Sequence, residues 1–506
     1  MPRRTVIVSA LLGLAAATAG ALPASAADDG PGSAAYEQRD AQNIADAYGR
    51  IDGPGGQLQN PAYLPALVTH GTQVGVDQLL TQVATPTRLA LTPGNLFPGW
   101  NVGNPLRAGW DGTRGRMEKI AFTNKYGALL RGHVYRPLPG ARDPYAGRLL
   151  KGPFPGVVIT EGSVQGSERM YEWLAEDLAE RGYIVLTYDV QGQGTSETLP
   201  HEDNGTGNAQ TNALPFCNPF ASPKDGEEFG CPGVPAQQLS NFVVGTENAL
   251  DFFTSTPAKP YANPASAGAP VSNYNPYWKL FDNSPDPKSV TPGRHTRIAI
   301  IGHSMGAAAV SKVQGIDPRV ETVVALDKLA GPSSTGALDG NGNVPKVPAL
   351  AVQSEYGFTV SPWFMSGGSS LTPQPSPNGP DPNRERDTGF NDWSKAGVDS
   401  MLVVPRASTH LEYTDIPLVL PASRYGQDLT SVYVQAWLDR YLKHRANDGA
   451  LLGKKFHYLE PTGNGKWTPV TLHRNPLLSF YYCSAYSLHT PSGLRQSGDV
   501  TGVGCK

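Results

Sequence analysis

The stretch RIAIIGHSMGAAAV, residues 297–310, constrains the fold more than any other part of the chain. Ile298, Ala299, Ile300 and Ile301 form an unbroken apolar run, which suits a strand buried on both faces of a parallel sheet. Gly302 follows at once, and a helix-forming run starts at Met305. A strand, a tight turn and a helix in direct succession predict an elbow that presents the Ser304 hydroxyl above the end of the sheet. Gly302 and Gly306 fit because backbone must pass close to backbone there and a Cβ would clash. The G-x-S-x-G spacing alone carries little weight in a chain with 57 glycines among 506 residues. The flanking strand and helix give it meaning.

The same alternation runs through much of the chain. KIAFTN and LLRGHVYRP read as a strand pair turning at Lys125–Gly127. GVVITEG, YIVLTYDV, VETVVALD, PALAVQSE and MLVVPRAS read as short buried strands. YEWLAEDLAERG, QQLSNFVVGTENALDFFTS and DLTSVYVQAWLDRYLKH read as helices. The fold class predicted is α/β, a mostly parallel central sheet flanked by helices, with loop insertions. The expected organisation is a removable leader over 1–26, an extension over 27–105, a main domain over 106–445 and a C-terminal extension over 446–506. Pro-, Gly- and Asn-rich stretches mark insertions near 200–240, 257–294 and 361–396. The turn YDVQGQGTSE, with Asp189, Gly192, Gly194 and Ser196, reads as structural support for the elbow.

A serine hydroxyl needs a base to become a nucleophile, and His410 is the best placed. It follows the strand MLVVPRAS and precedes the last long helix. Of the other histidines considered, His70, His133 and His201 come before the nucleophile, and His444, His457, His473 and His489 come in or after that helix. His303 reads as a packing or polar residue of the elbow. A carboxylate must hold the imidazole in one tautomer, and two candidates arise. Asp327 ends the strand VETVVALD, where it would otherwise cap a following helix, and Glu355 follows PALAVQSE as the fallback. Gly357 stands where an aspartate would be expected after that second strand.

GHSMGAAAV, VVALDKLAGP, ALAVQSEYGF and STH together resemble the platelet-activating-factor acetylhydrolase branch of the α/β-hydrolases. The last helix and the Cys-containing tail are similar, more loosely, to secreted actinobacterial cutinases and polyester hydrolases. The resemblance covers roughly residues 115 to 445, and not the N-terminal extension or the insertions. It implies an α/β-hydrolase fold and a serine esterase or lipase acting on carboxylic esters, whether lipid, short-chain or polymeric, through an acyl-enzyme. The first branch implies Asp327 as the acid; the second takes its acid from the position of Gly357, a departure that favours Asp327. The resemblance also implies an oxyanion hole built from the backbone N–H of Met305 and of Ser163 in the Gly162-Ser163 pair. Related chains carry His before that glycine where this one has Glu161, whose charge would oppose an oxyanion, so Glu161 is expected to point away. An amidase or peptidase using the same three residues, and a non-catalytic binding module on the same fold, stay open as alternatives.

Charge is near balance at −3, and no basic runs occur, which argues against nucleic acid as a partner. No metal or organic cofactor is expected. The partner expected is an ester substrate, lipid or polymer, met by a monomer without stable membrane insertion. Arg3 and Arg4, the apolar run Val6–Leu22 and Ala24-Ser25-Ala26 read as an export signal cleaved near Ala26, hence a secreted protein. The paired arginines hint at twin-arginine export. Cys217 with Cys231, and Cys483 with Cys505, form two sequence-local pairs that suit disulfides in an oxidising setting, although three connectivities are possible.

Overall fold

The computed structural model describes residues 30–88, 90, 100–163, 166–198, 238–266, 268–333, 343–418, 421–445 and 448–500. The expected leader over 1–26, most of the insertion near 200–240, and Cys217, Cys231 and Cys505 lie outside the described residues. Cys483 is buried.

The described chain forms fourteen strands. These are β1 (Gly115–Thr123), β2 (Leu129–Pro137), β3 (Gly156–Thr160), β4 (Ile184–Tyr188), β5 (Ile298–His303), β6 (Thr322–Leu326) and β7 (Ala349–Val352), then β8 (Gly367–Gly368), β9 (Pro373–Gln374), β10 (Ser400–Val403), β11 (Lys455–Gly463), β12 (Lys466–His473), β13 (Ala485–Thr490) and β14 (Gly493–Ser497). Ten of them form one sheet in the order β1-β2-β4-β3-β5-β6-β7-β10-β13-β14. Strands β4, β3, β5, β6, β7 and β10 run parallel, and antiparallel strands close both ends. This is the α/β arrangement that the apolar runs predict.

Helices cover both faces, as a parallel sheet requires. They are α1 (Ala34–Asp46), α2 (Tyr63–Ala84), α3 (Glu172–Glu180), α4 (Leu239–Phe253), α5 (Met305–Ile316), α6 (Phe390–Lys395), α7 (Gly426–Leu442) and α8 (Asp448–Leu451). Alternate residues of each central strand feed opposite cores. Val158, Ile300 and Val323 pack with Phe252, Val310 and Trp393 from α4, α5 and α6. Val157, Ile301 and Val324 pack with Trp173, Tyr433 and Trp437 from α3 and α7. Full burial of such an apolar side chain contributes about 1.5–3 kcal/mol relative to exposure, so the strand cores dominate the stability.

The strand order reverses direction at β3, whose neighbours are β4 on one side and β5 on the other. Connections leave such a point in opposite directions, opening a crevice at the carboxyl ends of the strands. The residues after β3 and β5 meet there.

The N-terminal segment is part of the packed structure. Buried Asn43 of α1 donates to Glu355 and, at 2.7 Å, to the Tyr356 hydroxyl. It also accepts from Arg406 Nε at 2.8 Å. Arg107 bonds Glu176 at 3.1 Å, Asp177 at 3.0 Å and the Tyr458 hydroxyl at 2.8 Å, tying α3 to β11. Truncating Asn43 would strand buried polar partners, which costs about 1–3 kcal/mol. Asn43→Ala is therefore expected to lower the unfolding free energy by about 2 kcal/mol, measured as a fall in urea midpoint at unchanged m.

Candidate active site

Ser304 lies between β5 and α5, at φ 55 and ψ −119, a region that residues with a side chain rarely occupy. The surroundings enforce it. The Ser304 amide donates to the Leu326 carbonyl at 3.0 Å, and its carbonyl accepts from Ala308 at 3.1 Å. A methyl on Gly302 would come within 2.1 Å of the Gly306 carbonyl oxygen. One on Gly306 would come within 2.3 Å of the Glu161 carbonyl oxygen. The elbow is thus wedged against the end of β3, and both glycines answer a close backbone approach.

His410 and Asp327 meet Ser304 in one hydrogen-bonded chain. His410 Nε2 lies 2.9 Å from Ser304 Oγ, and His410 Nδ1 lies 2.6 Å from Asp327 Oδ2. The carboxylate can only accept, so Nδ1 carries a proton and Nε2 is left to accept from the serine hydroxyl. Asp327 follows β6, and its Oδ2 also accepts from Ser354 Oγ at 2.6 Å. Burial opposes its charge, but the His410 hydrogen bond and charge, then Lys328 and Ser354, outweigh burial and bring the carboxyl down to about 2. Lys328 is itself held by buried Glu385 at 2.6 Å. Glu385 and Arg384, from the insertion near 361–396, thus support the carboxylate's neighbour.

Glu355, the alternative acid, is engaged elsewhere. Its carboxylate accepts from Asn43, from the Ala407 amide at 2.7 Å and from Ser479 Oγ at 2.6 Å. Burial raises its carboxyl above the usual range, against these hydrogen bonds. Gly357 has no room for a substituent, because a methyl there would come within 1.8 Å of the Ser370 carbonyl oxygen. An aspartate after β7 would need the 361–396 insertion to move.

The loop after β3 reaches the serine from the other side. The Gly162 amide donates to the Tyr171 hydroxyl at 2.9 Å and the Gly166 amide to Gln193 Oε1 at 3.2 Å, which leaves Ser163 as the candidate donor among the described residues of the loop. Among the described residues, no acceptor is found for the amides of Met305 and Ser163. The Met305 amide also opens α5, where the first-turn N–H groups have no partner within the helix. Glu161 turns away from Ser304: its Oε1 accepts from the Val190 amide at 2.7 Å. Burial, then the nearby Asp189 charge, pushes the Glu161 carboxyl well above its usual range, which favours the neutral acid. Asp189 accepts from the Glu168 amide at 2.7 Å and from Thr195 Oγ1 at 2.7 Å, so the turn it begins is structural, as its sequence suggests.

Phe358 and Ser354 carry no signal in the sequence for a place at the site, and His303 reads there as a packing or polar residue of the elbow. The Phe358 ring stands edge-on to His410, 4.5 Å between centroids, and is 54% exposed, so it forms an open apolar wall beside the imidazole. His303 Nδ1 lies 2.7 Å from the Tyr171 hydroxyl, and its Nε2 lies 2.9 Å from the His410 carbonyl oxygen. Ser354 stands next to Glu355 in sequence, and only its distance to Asp327 reveals what it does.

No family model matches the chain. An uncharacterized protein of Pseudomonas aeruginosa is 28% identical over 127 residues, a span that is 24% of this chain. The match covers 32% of that relative's own length. Among solved structures, a ferulic acid esterase from Streptomyces cinnamoneus is 16% identical, with 66% of this chain and 90% of that one covered and a TM-score of 0.35. Neither likeness assigns a family or a substrate. What defines the chain is its α/β fold and the geometry around Ser304.

Burial, then the charge of His410, lowers the His303 imidazole to about 3, so the folded protein resists protonating it. An unfolded chain takes up that proton below its ordinary value of 6.5. Stability from this residue is therefore complete above pH 6.5 and is lost as pH falls towards 3. His303→Gln is expected to flatten the acid limb of unfolding free energy against pH by about 1 kcal/mol per unit between pH 6 and 4. Denaturant titrations across that range check it.

Proposed function

We propose that the protein is a serine hydrolase of carboxylic esters. The observation that carries this reading is the hydrogen-bonded chain from Ser304 Oγ through His410 to Asp327, at 2.9 and 2.6 Å. His410 Nε2 accepts the Ser304 proton as Oγ attacks the ester carbonyl carbon. The amides of Met305 and Ser163 receive the oxyanion of the tetrahedral intermediate. His410 then gives its proton to the departing alcohol, leaving Ser304 acylated. Water, deprotonated by the same imidazole, attacks the acyl-enzyme, and the proton returns to Ser304 as the acid leaves. Asp327, ionised throughout, fixes the tautomer and offsets the imidazolium charge.

Phe358 beside His410 supports esters with an apolar group on one side of the scissile bond, whether lipid, short acyl or polyester. The reading includes export by the N-terminal signal. No helix among the described residues is long and apolar enough to cross a membrane.

The experiment is labelling with a fluorophosphonate probe, followed by turnover of an ester chain-length series beside matched anilides. Wild type is expected to label and to prefer esters, and Ser304→Ala to lose both labelling and turnover. Labelling retained in the alanine variant would sink the nucleophile, and a preference for anilides would make the protein an amidase. Asp327→Asn is expected to lower kcat by about 10³- to 10⁴-fold through the wrong imidazole tautomer. Glu355→Gln, which keeps the shape but touches no reacting group, is expected to leave kcat within about threefold.

A further inference from the structure

We infer that Tyr171 and His303 are positioning residues, a neutral hydrogen-bond relay that locks the oxyanion-side loop to the backbone of the base. The inference rests on the hydrolase reading above.

The direction of every bond in the relay follows from chemistry. The His410 carbonyl oxygen only accepts, so His303 Nε2 carries the proton and donates to it at 2.9 Å. His303 Nδ1 is then an acceptor, and the Tyr171 hydroxyl donates to it at 2.7 Å. The Tyr171 oxygen in turn accepts from the Gly162 amide at 2.9 Å. One unbroken path runs from the Gly162 amide through Tyr171 and His303 to the His410 carbonyl, and both its side chains are buried.

The two ends of this path are the parts whose spacing the reaction needs. Gly162 precedes Ser163, whose amide faces the developing oxyanion in the proposed mechanism. His410 carries the imidazole that moves the proton. The loop lies in contact with the elbow, since a methyl on Gly162 would come within 2.9 Å of His303 Nδ1 and 3.0 Å of Ser304 Cβ. A shift of a few tenths of an ångström at either end therefore reaches the nucleophile. The charge state also matters. The His303 and His410 rings lie 4.8 Å apart between centroids, so a protonated His303 would oppose the imidazolium that forms on His410. A neutral residue that both donates and accepts can do this work, which a lysine, an arginine or a leucine cannot.

A purely structural pair would lower stability and leave catalysis in the folded fraction alone. The test separates the two with Tyr171→Phe, His303→Gln, His303→Phe and the double variant Tyr171→Phe/His303→Phe. Each is assayed for kcat and KM on a soluble ester and for its unfolding midpoint. Tyr171→Phe keeps the ring and removes only the hydroxyl; it is expected to lower kcat about tenfold or more with KM within about twofold. His303→Phe is expected to lose about 10- to 100-fold in kcat, and His303→Gln, with one donor and one acceptor, to recover most of it. The double variant should be no slower than the worse single one, because a broken relay cannot be broken twice. A Tyr171→Phe kcat within twofold of wild type overturns the relay, as does a glutamine variant as slow as the phenylalanine one. So do losses that multiply in the double variant. Should His303→Phe fail to fold, Tyr171→Phe and His303→Gln carry the decision. Ser304→Ala in the same assay keeps the two failures apart: turnover retained there removes the hydrolase reading and the relay together, whereas turnover lost there with Tyr171→Phe unaffected removes the relay alone.

Discussion

The contact on which the rest of the site depends is backbone against backbone, where Gly306 brings the Ser304 elbow against the end of β3 and Gly302 lies against the first turn of α5. This contact fixes how far the serine stands from the Gly162-Ser163 loop and forces Ser304 into its sparsely populated conformation. A strained residue persists only where its surroundings over-determine it. Here the Leu326 carbonyl, the first turn of α5 and the β3 carbonyls do so together. His410 and Asp327 add chemistry to a point that the sheet has already located.

The parts of this arrangement legible in sequence are the local ones. Strands buried on both faces betray themselves as unbroken apolar runs, and β5, β6 and β7 each end at a residue that the site uses or borders. Asp327 is readable because it directly follows β6. Relations across long separations left no such trace. Asn43 and Glu355 are 312 residues apart, Tyr171 and His303 are 132 apart, and nothing in either neighbourhood announces its partner. Glu355 stays in the sequence as the fallback to Asp327, because a carboxylate after a strand looks the same whether it faces the imidazole or the core; its hydrogen bonds to Asn43, Ala407 and Ser479 place it in the core. The absent side chain at Gly357 was visible, but its reason, the Ser370 carbonyl, comes from an insertion with no periodic pattern. The terminal strands β13 and β14 were equally silent: β14 reads Gly-Leu-Arg-Gln-Ser and is largely exposed, so no apolar run marks it.

The site also depends on buried charge being matched. Arg107 with Glu176 and Asp177, and Lys328 with Glu385, are taken out of water as pairs. Such pairs add little net stability compared with apolar packing, but losing one partner leaves a costly orphan. Their effect is to restrict which arrangements of the N-terminal segment and the 361–396 insertion are tolerated. The insertion is thereby registered against Asp327, although none of its residues reaches Ser304 in a hydrogen bond.

The antiparallel pair β13–β14 has a consequence for the chain as a material. Strand β10 is wholly buried, and without β13 its outer row of amides and carbonyls would be an open template for a strand from another molecule. The pair moves this border of the sheet to β14, which is short, largely exposed and carries Arg495. At this border of the sheet, edge-to-edge pairing with another molecule thus meets the short, exposed, charge-bearing β14 in place of the buried β10.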